Sequence, residues 1–297
     1  MSTVSPGDGP AESGPPADVP SDILLSSGAL PSGAKNAQTS RQTEDAKSFG
    51  PARALGWMIF GTLVVILFVG GVRACGLPVN LPIAGALSGV AFFALSWLLL
   101  WRYPTKASAP NALGWKPASL KTMALGLILG FALRGPAEVL RRVWLALLHV
   151  PSPSVETLEA PPAMFVAGML VTMALVVPLA EETFFRGAVF ETMIGRGKGR
   201  WLTALVTGVG FALAHPQTLL PILSVALALS VLRASSKSLL PTFLAHSCFN
   251  GVEVLRVGSL LPRWLGSPVA VALQTAVVVL CIAWCAKNVA AAAEGEA

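Results

Sequence analysis

Charge is scarce in this chain: of its 297 residues only 12% are Asp, Glu, Lys or Arg, while 54% are hydrophobic, and the mean hydropathy is +0.68. Soluble domains carry about a quarter charged residues, so this composition excludes an ordinary soluble globular protein and points to a polytopic membrane protein. The four cysteines, Cys75, Cys248, Cys281 and Cys285, show no CxxC spacing and so no zinc framework. No HExxH occurs, and no internal repeat is visible, which speaks against a transporter built from inverted halves. The net charge of +6 is not a nucleic-acid footprint, because the Lys and Arg lie scattered at the ends of apolar segments rather than gathered with aromatics in one patch. A cleavable signal peptide is not expected either: the first basic residue is Lys35, and the apolar patch Ile23 to Leu30 is broken by serines.

Residues 1–50 are rich in Pro, Gly, Ser, Asp and Glu and cannot bury enough surface to offset the entropy of ordering, so they read as a disordered cytoplasmic tail. Eight apolar segments follow, at about 54–74, 81–101, 119–149, 162–194, 201–216, 218–233, 238–257 and 266–288. Each is long enough, or nearly so, to cross about 30 Å of hydrocarbon. The expected fold is an all-α polytopic membrane protein of about eight transmembrane helices, a membrane domain over 51–290 and a short C-terminal tail at 291–297. Arg134-Gly135-Pro136 should break the third segment, whose amphipathic second half could turn along the membrane interface.

Flanking charge sets the orientation. A cytoplasmic tail puts Arg41, Lys47, Arg53, Arg102, Lys106, Lys116, Lys121, Arg196, Lys198, Arg200, Arg233, Lys237 and Lys287 on one side and only Arg73, Arg256 and Arg263 on the other. Both termini are therefore expected in the cytoplasm.

Within this apolar background the stretch Glu181-Glu182-Thr183-Phe184-Phe185-Arg186 places three ionisable side chains where each costs roughly 2.5–3.5 kcal/mol at the centre of a membrane helix. Glu182 and Arg186 are four apart with the acid first, the favourable order for a helical ion pair. Glu181 lies about 100° round the helix with no such partner, which leaves it free for chemistry. Two of the three histidines also fall inside apolar segments, with Phe211 and His215, and then His246 and Asn250, four apart. Four residues advance a helix by about 40°, so each pair should share a face. Level placement of His246 with the others requires tilt or a non-helical start at Pro241.

Such a set suits hydrolysis of an amide or ester. Glu181 can take a proton from water that His215 orients, while His246 and Asn250 donate to the developing oxyanion and Glu182, held by Arg186, orients the site. The same residues permit a second mechanism in which Glu181, His215 and His246 ligate one zinc ion.

The Glu-Glu-x-x-x-Arg of 181–186, the Phe-x-x-x-His of 211–215 and the His-x-x-x-Asn of 246–250, in that order, resemble the CPBP family of intramembrane proteases, which includes type II CAAX prenyl endopeptidases and bacterial relatives linked to bacteriocin immunity and protein sorting. The resemblance covers 162–257. It implies an eight-helix membrane protease of the bacterial inner (cell) membrane whose site opens towards the cytoplasm and the membrane. It would cut a membrane-anchored, lipidated or C-terminally anchored protein or peptide near the cytoplasmic leaflet. By the same analogy Glu181 is the general base, His215 positions water, and His246 with Asn250 forms the oxyanion site; the family has been described both as metalloproteases and as metal-independent glutamic proteases, and the glutamic version, with no cofactor required, is the one expected here. Membrane lipids are the other expected partners. The alternative is a non-catalytic membrane scaffold, regulator or immunity protein in which the polar cluster only holds helices together.

Overall fold

The computed structural model describes residues 49–104, 108–149, 162–258 and 260–294. The tail expected over 1–50 lies outside the described residues up to 48, as do the last three residues of the expected C-terminal tail.

Each apolar segment is helical, and no strand occurs among the described residues. The helices are α1 (Pro51–Ala74), α2 (Leu81–Arg102), α3 (Leu120–Ala132), α4 (Arg134–Leu147), α5 (Ala163–Gly195), α6 (Arg200–Leu213), α7 (Leu219–Ser236), α8 (Leu240–Val257) and α9 (Pro268–Glu294). Local chemistry sets their starts. The side chain of Asn80 accepts from Ile83 N at 3.1 Å, and Ser119 does the same for Thr122 N at 3.2 Å, each satisfying a backbone donor that a helix leaves orphaned. Pro136 lacks the N–H that would continue α3, so the third segment divides at Leu133, as expected.

Six spans are long and apolar enough to cross a membrane: α1, α2, α3 with α4, α5, α7 with the residues just before it, and α9. The other two apolar segments fall short for physical reasons. At 14 residues α6 extends only about 21 Å, and α8 carries Glu253 and Arg256 near its end. These two less apolar helices are the ones that bear on His215 and His246.

Two apolar clusters hold the bundle together. One gathers α1, α2, α5 and α6 around Phe92, Phe184, Phe185 and Phe211, all buried. The other gathers α3, α4, α7, α8 and α9 around Leu129, Leu229, Ala245 and the free thiols Cys281 and Cys285, which act as small packing groups. Between α3 and α8 the backbones approach closely: a Cβ at Gly126 would lie 2.5 Å from Pro241 O, and one at Gly130 would lie 2.2 Å from Ala245 O. This small-xxx-small contact seats α8 one residue from His246. Outward-facing apolar side chains such as Leu67, Trp101, Leu120 and Val269 are more than two-thirds exposed, as hydrocarbon-facing positions are.

Candidate active site

α5 does not wind uniformly. It is α-helical up to Val171, widens to π-helix over Thr172–Val176, returns to α-helix through Glu182, widens again over Thr183–Val189 and closes as α-helix. Widened turns of this kind mark functional sites in many helices. Both acids sit at the boundary of the second one, in the middle of the bundle.

Glu182 and Arg186 are fully buried, and the pair survives the widened turn: Arg186 Nη1 donates to Glu182 Oε1 at 2.8 Å. The rest of the guanidinium is also engaged. Nη2 donates to Ala226 O at 3.2 Å, Nε reaches Ser230 Oγ at 3.4 Å, and the carbon of the group lies 4.2 Å from the Phe211 ring centroid. Glu182 is in turn tied to α8, where His246 Nδ1 lies 2.9 Å from Glu182 Oε1. With a carboxylate as acceptor, that contact fixes the proton on Nδ1 and turns Nε2 towards Glu181.

Glu181, 7% exposed, faces both imidazoles: His246 Nε2 is 3.7 Å from its Oε2, and His215 Nε2 is 3.9 Å from its Oε1. Both gaps are too long for a direct hydrogen bond and short enough for one water to touch the carboxylate and a ring together. The expected meeting of an acid on one helix with two imidazoles from other elements is therefore observed.

His215 arrives by a different route from the one its spacing suggests. It does not lie on α6, which ends at Leu213; His215 has φ −125° and ψ 60°, outside the helical region, because the proline that follows disfavours helical dihedrals at the preceding residue. Its ring still returns to Phe211: Nδ1 lies 3.0 Å from Phe211 O, and the two rings stack with centroids 4.8 Å apart. Since a carbonyl can only accept, Nδ1 carries the proton and Nε2 offers a lone pair to the space beside Glu181. Nor does α8 need a non-helical start to bring His246 level, for it is helical from Leu240, with Pro241 in its first turn.

Asn250 follows His246 by one turn, but its amide nitrogen donates to Met173 O at 2.8 Å, in the first widened turn of α5. It thus pins α8 to α5. The structure brings Glu181, Glu182, Arg186, His215 and His246 into one cluster and gives Asn250 this neighbouring contact.

Arg233, counted above with the basic residues flanking the membrane, is instead 1% exposed: Nε donates to Arg186 O at 3.0 Å, and Nη2 pairs with Glu191. Glu191, an unexplained acid inside the apolar run of α5, was the signal that a cation had to meet it. Ser230 and the carbonyl of Ala226 gave no such signal in the sequence.

Among the described residues no group of three or more His, Cys, Asp or Glu is arranged to hold a metal. The separations of 3.7 and 3.9 Å also exceed the edge of about 3.3 Å between two ligands that each lie about 2.0–2.1 Å from a tetrahedral zinc ion.

Residues 161–252, the stretch that contains every member of this cluster, match the family model Rce1-like, type II CAAX prenyl endopeptidase. The three motifs that resemble the CPBP family all fall inside that matched stretch. No curated protein and no solved structure matches the chain. This likeness accounts for the order of the three motifs along α5, the end of α6 and α8.

Proposed function

We propose that this chain is a CPBP-type protease that hydrolyses a peptide bond of a membrane-associated protein or peptide, with water activated by Glu181 and no metal. A water beside Glu181 gives a proton to the carboxylate while its other hydrogen bonds to His215 Nε2, and its oxygen forms a bond to the scissile carbonyl carbon. The oxyanion that develops accepts from His246 Nε2 in its imidazolium form, and with Glu181 now protonated the imidazolium and the Arg186 guanidinium balance the oxyanion and the Glu182 carboxylate. As the C–N bond breaks, Glu181 passes its proton to the leaving amine. Glu182 and Arg186 hold His246 in place, and Asn250 acts through its clamp on α5.

The observation that carries this reading is the carboxylate of Glu181 set 3.9 and 3.7 Å from two imidazoles whose other nitrogens are each committed elsewhere. The family match supports a substrate with a lipid-modified C-terminal region. We place the protein in a cell membrane as a multi-pass protein with both termini cytoplasmic, on the strength of its flanking charge.

The test uses purified protein in lipid vesicles with membrane-anchored peptides. Glu181→Gln should lower kcat by about 10²–10⁴-fold, the usual worth of a positioned general base. Cleavage by that variant at the wild-type rate overturns the assignment. Activity that survives chelation, with no transition metal found by elemental analysis, agrees with the metal-free step; activity lost on chelation and restored by zinc overturns it.

A further inference from the structure

Arg233 and Glu191 form a pair that plays no part in the chemistry above. Arg233 stands on α7 and is 1% exposed; its Nη2 pairs with Glu191 near the end of α5, and its guanidinium carbon lies 5.0 Å from the centroid of the Phe190 ring. The segment between α2 and α3 closes over both. Gly114 has φ +77°, and a Cβ there would collide with Arg233 Nη2 and lie 3.2 Å from Glu191 Oε1, so only glycine fits. Its carbonyl accepts from Leu239 N at 2.8 Å, which fastens this cover to the residue before α8. A largely buried ion pair adds little net stability over apolar packing, so stability alone does not explain it.

The second widened turn of α5, Thr183–Val189, does. In an unbroken α-helix Arg186 O would accept from Phe190 N, four residues on. Here Phe190 N donates to Phe185 O and Gly187 O instead, so the change of register passes Arg186 O by. A carbonyl left without a donor inside the bundle is costly. Arg233 Nε fills the gap, donating to Arg186 O at 3.0 Å. Arg186 is thereby held at its backbone by Arg233, while its side chain holds Glu182, which in turn holds His246.

We propose that Arg233, braced by Glu191, is a positioning residue for the hydrolytic site: by occupying Arg186 O it keeps the turn widened, and the widened turn sets the bearing of both acids. A helix advances about 100° per residue, so closing the extra residue of the turn would swing Glu181 and Glu182 by about that angle against the half of α5 that follows. Glu182 would then lose Arg186. The inference rests on the protease reading above and adds to it a residue buried too deeply to touch substrate.

Two substitutions separate the donor from the charge. Gln carries an N–H after the same three side-chain carbons that precede Nε in arginine, and Met carries none. Each is combined with Glu191→Gln, so that neither leaves a carboxylate unpaired. Wild-type protein in phosphatidylcholine vesicles is first offered N-palmitoylated peptides of randomised sequence; mass spectrometry picks out one that is cut, and kcat and KM are measured on that peptide. Arg233→Met with Glu191→Gln should lose kcat by about 10²-fold, the usual cost of a misplacement of about 1 Å, at unaltered KM. Arg233→Gln with Glu191→Gln should recover about tenfold of that loss, the worth of one buried hydrogen bond. Arg233→Lys keeps the charge opposite Glu191 but sets a methylene where Nε stood, and its kcat should fall with that of the Met variant. Wild-type kcat in the Met or the Lys variant overturns the positioning role while leaving the protease intact. Equal loss in the Met and Gln variants, or a loss that follows their unfolding midpoints, also overturns it, in favour of a pair that only braces the bundle. If the wild type cuts no peptide of the set, the protease reading falls and the positioning role with it.

Discussion

Replacing Arg186 by leucine should cost far more than the loss of one ion pair at a surface. Exposed pairs are worth about 0–1 kcal/mol, but Glu182 and Arg186 are both fully buried, so removing the guanidinium strands a carboxylate in a medium that cannot solvate it. Breaking a buried pair from one side costs about 3–5 kcal/mol, and the lost contact with the Phe211 ring adds in the same direction. Glu182→Gln combined with Arg186→Leu removes both charges, so the double variant should be more stable than Arg186→Leu alone by about 2 kcal/mol or more. It should nonetheless remain inactive, because His246 then has no charged partner to hold it. The assay is denaturant unfolding in detergent of the wild type, both single variants and the double variant, read as a mutant cycle beside peptide cleavage. If the two losses simply add, the pair does not stand on mutual charge compensation and the argument fails.

Gly130→Ala should destabilise the bundle by about 1–3 kcal/mol, because its new Cβ would meet a helix backbone rather than a flexible side chain; activity should fall further than stability, since Ala245 adjoins His246. Unfolding midpoints and cleavage rates of the same preparation check both parts, and a variant as stable as the wild type would contradict the contact. A third prediction concerns the face on which the mouth opens. Flanking charge favours cytoplasmic termini, yet Gln217, in the exposed turn after His215, lies at the end of α6 opposite the basic turn at 196–200. Gln217→Cys should then react with an impermeant maleimide added outside intact cells. Labelling only after permeabilisation would reverse the helices and place that turn in the cytoplasm, where the family resemblance puts the opening.

The parts of the site that were legible in the sequence are those that follow from helical spacing alone. Glu182 with Arg186 is an i,i+4 pair, and it forms even though the helix widens there. Glu181 as the acid without an arginine, and the convergence of two imidazoles on it, came from the cost of charge in an apolar run. What depended on chain breaks or on distant partners was read less well. Pro216 announced a break, but regular spacing carried His215 onto a helix that ends two residues earlier. Arg233 resembled a flanking charge because its partner, Glu191, lies 42 residues away. Eight apolar segments were correct as helices, yet α6 is too short, and α8, with His246, Asn250, Glu253 and Arg256, too polar to count as a span by composition.

The break at Pro216 also divides the cluster by stiffness. Glu181 and His246 ride on helices locked by close packing, whereas His215 hangs from a turn and is steadied by one carbonyl and one stacked ring. On the protease reading, substitutions at 216–218 should therefore move His215, and with it the range of peptides accepted, while leaving the acids in place.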